Sequence, residues 1–361
     1  MILRPSVRMF GVHILICLIV SGCATSANHT IPKTYSQNLS DIPIRQFSVD
    51  PDISADLNKL DKMRLTRRDL SEVLSSYPAP RIFGIGGGVY TAHILMEDLA
   101  EFLTGMGYPA ESVYHPDDGK FAVSSYSDPE KIAGETLFYY QYEGVRPVYI
   151  GHSLGGVQAI KTAHFFSGNF GHKKVKIFDP IAGRYSNQKD FVSPLSGEHV
   201  SFSSLKPIAH LIAVGSGGIS RVFPSQWSMG ERVKQVPDSV LRMTGIHLEG
   251  DWLGNDFLTG KEQNEYQSLG SARVENFYLP PGHNHVTLIR TKHLLEHPEV
   301  REWIDSYNPH TFTAIPEGLP GNTDNILLAA ELWHILKEEW YLAALEIDAA
   351  CRRQPDGGSD D

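Results

Sequence analysis

A serine between two glycines is the feature of this sequence best suited to chemistry. The segment 151–156 reads Gly-His-Ser-Leu-Gly-Gly, which contains the pattern Gly-x-Ser-x-Gly around Ser153. In a sharp turn from a strand into a helix, the central serine has strained backbone angles, and side chains two residues away on either side would collide. Gly151 and Gly155 remove those side chains. The pattern therefore predicts a nucleophilic hydroxyl at the N-terminus of a helix, where backbone amides stabilise a developing negative charge.

A histidine must lie beside such a serine, because the hydroxyl is a weak nucleophile until a base removes its proton. The segment 280–288 reads Pro-Pro-Gly-His-Asn-His-Val-Thr-Leu and follows a β-rich run at Arg273–Leu279. His285 and His283 are the candidates for this base. The two histidines do not belong to a His-Glu-x-x-His motif or a cysteine cluster, so no metal site is predicted.

The elements around the serine alternate between apolar runs and helical segments. Predicted strands lie at 81–85, 112–115, 147–150, 174–178, 245–250 and 273–279. Predicted helices lie at 61–76, after the glycines 86–88, from Asp128 to about Gly144, after the serine motif to about Phe166, and from about Asp324 to Ala350. Strands that alternate with helices favour a mostly parallel sheet with helices on both faces. The sequence therefore predicts an α/β fold.

With these elements the sequence resembles the α/β-hydrolases, within the serine esterase and lipase group, over about Arg81 to Tyr307. The resemblance depends on Gly-His-Ser-Leu-Gly-Gly and on the chain order serine, acid, histidine. It implies an α/β-hydrolase fold and a Ser-His-Asp triad that cleaves carboxylic esters or lipid-like substrates, with no cofactor. It implies that His285 is the base and His283 the alternative, because the histidine of the family often stands just before a short apolar helix start. It also implies that the Leu154 amide and an amide of Gly87 or Gly88 form the oxyanion hole. The His-Gly that the family usually carries at this second position is absent here.

The triad acid has three candidates. Asp251 follows the predicted strand 245–250 directly, where the resemblance places the acid, and it is the expected one. Asp256 lies on the same loop. Asp179 follows the strand after the serine turn, where pancreatic-type lipases carry their acid. Each carboxylate could instead cap backbone amides within its own loop.

The region 180–244 is irregular and is interpreted as a possible cap insertion within a domain at 61–307. Its apolar residues could line an acyl pocket or could belong to the core: Phe223, Trp227 and Met229. The stretch 210–214 could itself be a sheet strand, which would shrink the cap.

The N-terminus predicts export and membrane attachment. Arg4 and Arg8 precede the apolar run Met9–Val20, and small residues follow, which is typical of a secretory signal. Val20-Ser21-Gly22-Cys23 resembles the lipobox of bacterial lipoproteins, which implies a signal peptide at 1–22, a lipid on Cys23 and a place in the bacterial cell envelope. By the same resemblance, Ala24 rather than Asp after the cysteine implies the outer membrane in a Gram-negative host. An ordinary cleaved signal or an uncleaved anchor is the alternative. Residues 23–60 are expected to be a tether.

Composition limits the remaining possibilities. Among 361 residues, 41% are hydrophobic, which excludes disorder as the dominant state. The formal net charge is −10 and no Lys/Arg block occurs, so nucleic acid is not an expected partner. Three cysteines cannot form a disulfide-dense scaffold.

The C-terminal segment 308–361 is expected to comprise a connector, a helix and a disordered tail. That helix either packs on the body or docks on a membrane or partner through Trp333 and Trp340. Two alternatives to an esterase stay open: an acyltransferase or thioesterase with the same acyl-enzyme, and a non-catalytic lipoprotein that uses the fold for binding.

Overall fold

A computed structural model describes residues 47–170, 174–217, 224–251, 253–254, 264–311 and 314–353, which belong to one compact unit. The predicted signal peptide, Cys23, Phe223 and Asp256 lie outside these residues. Within the described ranges, no helix is both long enough and apolar enough to span a membrane.

The described part of the chain contains both helices and strands throughout its length. The α-helices are α1 (Pro51–Leu57), α2 (Arg67–Glu72), α3 (Tyr90–Met106), α4 (Ala110–Val113), α5 (Pro129–Glu143), α6 (Leu154–Phe166), α7 (Pro298–Ser306) and α8 (Ile326–Cys351). The strands are β1 (Ile82–Ile85), β2 (Ala122–Val123), β3 (Val148–His152), β4 (Phe178–Asp179), β5 (Arg184–Tyr185), β6 (Phe191–Val192), β7 (His199–Val200), β8 (Ile208–Val214), β9 (Gln235–Val236), β10 (Val240–Leu248), β11 (Gln267–Ser268) and β12 (Arg273–Leu279).

Six strands form a central sheet in the order β12-β10-β8-β3-β1-β2, and every neighbouring pair is parallel. The chain enters at β1, adds β2 on one side, and then returns to add β3, β8, β10 and β12 on the other side. The strand order therefore reverses between β1 and β3. In sheets of this kind ligands bind at such a reversal, beyond the carboxyl ends of the strands.

Both faces of the sheet are covered, as the alternating strand and helix pattern predicts. Along β3, Val148 and Ile150 belong to one hydrophobic cluster and Tyr149 to another, because successive side chains point to opposite faces. The first cluster includes residues of α3 and α8, and the second includes residues of α5 and α6. Strands buried on both faces have few polar residues, which explains the apolar runs in the sequence.

Several predicted elements are confirmed by their local signals. Helix α5 begins after Asp128, whose carboxylate accepts a hydrogen bond from the Glu130 amide at 2.9 Å, and it ends at Gly144 with φ 74°. Strand β12 has the predicted bounds, and β1, β3 and α6 lie where the sequence places them.

Other expected elements are corrected by the structure. The run 112–115 is not a strand: it overlaps α4, and the edge strand β2 comes later. A short apolar run does not distinguish a strand from a helix turn by periodicity. Of the run 174–178 only Phe178 lies in a strand, and this strand pairs antiparallel with β5 outside the central sheet.

The expected helix at 61–76 is divided into shorter pieces. Thr66 and Asp69 form a reciprocal capping box, in which the Thr66 amide donates to the Asp69 carboxylate at 2.8 Å and starts α2. Short 3-10 helices precede and follow α2. The expected tether also contains structure at its end, since α1 lies within 23–60.

The region 180–244 is not one continuous insertion, because β8 lies between β3 and β10 in the central sheet. Helix α8 packs on the body. Trp333 and Trp340 are both buried, so of the two interpretations of this helix packing is confirmed and a docking surface formed by these residues is excluded.

Candidate active site

Ser153 lies in the turn between β3 and α6 and has the strained backbone that the motif predicts. Its φ of 54° and ψ of −122° form a sparsely populated combination for a residue with a side chain, and such backbone conformations cost about 1–3 kcal/mol. Two backbone hydrogen bonds hold the turn: the Ser153 amide donates to the Val214 carbonyl at 2.8 Å, and the Gly156 amide donates to the Ser153 carbonyl at 3.1 Å.

The flanking glycines are needed because other main chain comes too close for a side chain. A Cβ atom on Gly155 would lie 2.1 Å from the Ile85 carbonyl oxygen at the end of β1. A Cβ atom on Gly151 would lie 2.5 Å from the Gly156 Cα atom in the first turn of α6. The close contacts therefore involve β1 and α6, which the sequence argument about the serine turn did not specify.

The structure brings the three expected residues together in one hydrogen-bonded triad. The distance from Ser153 Oγ to His285 Nε2 is 2.8 Å, and the distance from His285 Nδ1 to Asp251 Oδ2 is 2.6 Å. The side chains of His285 and Asp251 are 11% and 5% exposed. Ser153 follows β3, Asp251 follows β10 and His285 follows β12, so the parallel strands carry all three to the same edge of the sheet.

The alternatives named for these roles are placed elsewhere or are not described. The histidine that contacts Ser153 is His285 rather than His283. Asp179 accepts hydrogen bonds from the amides of Ile181 and Ala182, both at 2.9 Å, and so caps its own turn. Asp256 lies outside the described residues.

Asp251 is held in its charged form. Burial raises the pKa of Asp251, but the hydrogen bond from His285 and further hydrogen bonds from the amides of Gly254 and Leu253 outweigh this effect, so the pKa lies below its usual value. The Leu253 amide lies 2.9 Å from the second carboxylate oxygen. A carboxylate fixed in this way keeps the proton of the imidazole on Nδ1 and leaves Nε2 free to accept one from the serine.

The expected oxyanion donors lie near one another beside the serine. A Cβ atom on Gly88 would lie 3.0 Å from the Leu154 side chain, so the loop after β1 packs on the start of α6. The Gly87 carbonyl accepts a hydrogen bond from Ser125 at 3.3 Å, and the Gly88 carbonyl accepts one from Tyr126 at 3.1 Å. These contacts fix the orientation of the loop. The Gly86 amide, by contrast, donates a hydrogen bond to the Val123 carbonyl and so is already occupied.

Three residues near the triad were not singled out by the sequence. His152 contacts the His285 carbonyl at 2.8 Å. Gly215, with φ 56°, lies against the imidazole, since a Cβ atom there would be 3.4 Å from His285 Nδ1. Asn325 donates to the Thr287 carbonyl at 3.0 Å, in the loop that carries the histidine. Only the position of His152 inside the serine motif is a signal visible in the sequence.

No protein-family model matches the sequence, and no curated protein matches it. Within the described ranges, no group of three or more His, Cys, Asp or Glu side chains is arranged to hold a metal ion. Inferences about function therefore depend on the geometry of this chain itself.

Proposed function

We propose that this protein is a serine hydrolase of the α/β-hydrolase fold that cleaves carboxylic esters. The observation that carries the proposal is the triad: Ser153 is 2.8 Å from His285, which is 2.6 Å from the buried Asp251. Support also comes from the position of the triad, because it lies at the carboxyl ends of parallel strands beside the point where the strand order reverses.

In the proposed reaction, His285 Nε2 takes the proton of the Ser153 hydroxyl while Oγ attacks the ester carbonyl carbon. The carbonyl oxygen becomes an oxyanion, which the Leu154 amide and an amide of Gly87 or Gly88 stabilise. His285 then gives its proton to the leaving alcohol as the carbon–oxygen bond breaks, which leaves an acyl-enzyme. Asp251 stabilises the imidazolium in both steps.

Water completes the cycle. Its oxygen attacks the acyl carbon while His285 accepts one of its protons, and the second tetrahedral intermediate collapses when the bond to Ser153 Oγ breaks. The proton on His285 returns to Oγ, and the carboxylic acid leaves.

Apolar side chains beside the glycine loop support a substrate with an apolar acyl or alcohol group. Val89 and Tyr90, which follow the glycine loop after β1, are 56% and 63% exposed. Tyr126, which follows β2, is 54% exposed. Tyr126 also contacts Gly88 directly. Met229 was one of three residues that could have lined an acyl pocket. It is buried in the hydrophobic core and therefore contributes to packing instead.

A fluorophosphonate probe tests the proposal, because it forms a covalent bond only with an activated serine hydroxyl. We expect the wild-type protein to be labelled and Ser153→Ala to be unlabelled. Ser167→Ala is the matched control, since Ser167 is exposed at the opposite end of α6. A folded wild-type protein that resists the probe would contradict the proposal and favour a binding module. A chain-length series of nitrophenyl esters then separates short-chain from long-chain preference.

The attachment of the protein to the bacterial cell envelope through a lipid on Cys23 is also a proposal, and it depends on the lipobox at 20–23. Growth with an alkyne-tagged fatty acid is expected to label the wild-type chain. Cys23→Ser should abolish the label. Cys17→Ser, which changes a cysteine inside the apolar run, should keep it. Equal labelling of the two variants would refute the assignment.

A further inference from the structure

His152 connects the residue before the serine to the main chain of the histidine. It is the last residue of β3, is fully buried, and places its Nε2 atom 2.8 Å from the carbonyl oxygen of His285. A carbonyl oxygen only accepts hydrogen bonds, so the proton must be on Nε2 of His152. The rings of His152 and His285 lie 5.3 Å apart between centroids.

The other ring nitrogen shows that His152 is neutral. Its Nδ1 atom is buried and has no hydrogen-bond partner among the described residues. A proton on Nδ1 would therefore place an unpaired donor and a charge in the interior, close to His285. Burial and, to a smaller extent, the proximity of the His285 ring lower the pKa of His152 to about 4, although the hydrogen bond to the His285 carbonyl and the Asp251 carboxylate act in the opposite direction.

We propose that His152 is a positioning residue that keeps His285 in place while the acyl-enzyme is hydrolysed. This inference rests on the proposed function. In the free protein, His285 makes three hydrogen bonds within the described part of the chain: to the Ser153 hydroxyl, to Asp251 and to His152. In the acyl-enzyme Ser153 Oγ is an ester oxygen without a proton, so the first contact is lost.

Two contacts then remain, and they act on different parts of His285. Asp251 holds the Nδ1 side of the ring, and a single hydrogen bond of that kind allows the ring to tilt. His152 donates a hydrogen bond to the main-chain carbonyl of His285 and so fixes the position of the His285 backbone relative to the strand ends. During hydrolysis His285 must accept a proton from water and then pass it to Oγ as the acyl–oxygen bond breaks. Loss of His152 should therefore slow hydrolysis of the acyl-enzyme more than its formation.

Two substitutions in the full-length chain test this step. His152→Met has a similar length but no donor, whereas His152→Gln places an amide N–H near the former Nε2 position. With a nitrophenyl ester, pre-steady-state kinetics separate the burst, which reports acylation, from the steady rate, which reports hydrolysis of the acyl-enzyme.

For His152→Met we expect the steady rate constant and KM to fall together by about tenfold, because a buried carbonyl loses its hydrogen bond. The burst rate constant and the rate of fluorophosphonate labelling should stay within about twofold of the wild-type values. His152→Gln should recover most of the steady rate. A structural role alone would lower the burst and the steady rate together.

Three outcomes would overturn the inference: an equal loss of both rates in His152→Met, a steady rate that does not change, or no recovery in His152→Gln. If His152→Met does not fold, nitrogen NMR of the wild-type protein tests the hydrogen bond from His152 to the His285 carbonyl. His152 should stay neutral with its proton on Nε2 between about pH 5 and about pH 8, and titration in that range or a proton on Nδ1 would refute the contact. If wild-type Ser153 is not labelled, the proposed function fails, and the NMR measurement still tests the contact by itself.

Discussion

A buried glutamate on α8 makes the stability of this protein depend on pH in a direction that can be measured. The side chain of Glu331 is only 6% exposed and lines a cavity of about 190 Å³ between α8 and the strands β10 and β12. Tyr307 donates a hydrogen bond to it at 3.3 Å. Within the described part of the chain, no basic side chain forms an ion pair with it. Burial therefore raises the pKa of Glu331 to about 7 from its usual 4.5, against a smaller opposing effect of Tyr307.

The direction and size of the effect follow from proton binding. Between pH 4.5 and about 7 the folded state holds a proton on Glu331 that the unfolded state has already released. The contribution of Glu331 to the free energy of unfolding is therefore greatest below pH 4.5 and is lost as the pH rises through about 7. A difference of about 2.5 in pKa, at 1.36 kcal/mol per pH unit, corresponds to about 3 kcal/mol.

The substitution Glu331→Gln isolates this contribution. Glutamine keeps a carbonyl oxygen for the Tyr307 hydroxyl and cannot ionise. Urea unfolding should show similar stability for the variant and the wild type at pH 4.5, where the buried carboxyl is protonated in the folded state. At about pH 8 the variant should be more stable by about 3 kcal/mol. The difference between the two proteins is the informative quantity, because burial also raises the pKa of Glu135 to about 7 and adds to the pH dependence of both.

A neighbouring glutamate is the control. Glu338 lies on the same helix and pairs with the half-exposed Lys62 at 3.5 Å, so Glu338→Gln should change the free energy of unfolding little at either pH. An advantage of Glu331→Gln that is equal at both pH values, or a variant that is less stable than the wild type at about pH 8, would refute the reasoning.

Three further predictions concern the site. Asp251→Asn should lower kcat by about 10³–10⁴ because the imidazole loses the partner that fixes its tautomer, while Asp179→Asn should leave kcat unchanged; equal losses in an ester assay would contradict the assignment of the acid. Gly155→Ala should lower the free energy of unfolding by about 1–3 kcal/mol and abolish fluorophosphonate labelling, because the new methyl group would lie 2.1 Å from the Ile85 carbonyl oxygen. Normal labelling of this variant would show that the turn tolerates a side chain. Asn325 has φ 67° and donates hydrogen bonds to two carbonyls in the loop after the triad histidine, so Asn325→Ala should lower kcat. This variant should also unfold at a lower temperature than Asn325→Gly, which loses the same hydrogen bonds without backbone strain, and identical thermal midpoints would indicate that the left-handed backbone carries no cost.

The sequence was most informative where a few adjacent residues determine the structure. Gly151 and Gly155 were sufficient to identify the turn around Ser153, although the contact that excludes a side chain at Gly155 comes from Ile85 in β1. The start of α5 needs only Asp128 and the proline after it. Alternating strands and helices were also sufficient to predict a parallel sheet. The chain order of serine, acid and histidine then indicated which loops would meet at one edge.

Choices between similar residues depended on the tertiary structure. Asp251 follows β10, a strand of the central sheet, whereas Asp179 is the last residue of β4, which lies outside that sheet. The register of β10 against β12 brings Asp251 to His285. Local sequence carries no record of that pairing. Because local sequence does not record strand pairing, it also predicts a strand at 112–115, where the run overlaps α4 in the structure.

Burial was the other property that the sequence did not determine. The spacing of residues in α8 shows that one side of the helix is apolar, but it does not say that the opposite side is also covered, and both Trp333 and Glu331 are buried. His152 was a fixed part of the serine motif from the start. Its contact with the His285 carbonyl exists because two segments 133 residues apart meet beyond the sheet. Backbone conformations and helix caps arise from neighbouring residues, whereas partners across the sheet arise only when the whole chain has folded.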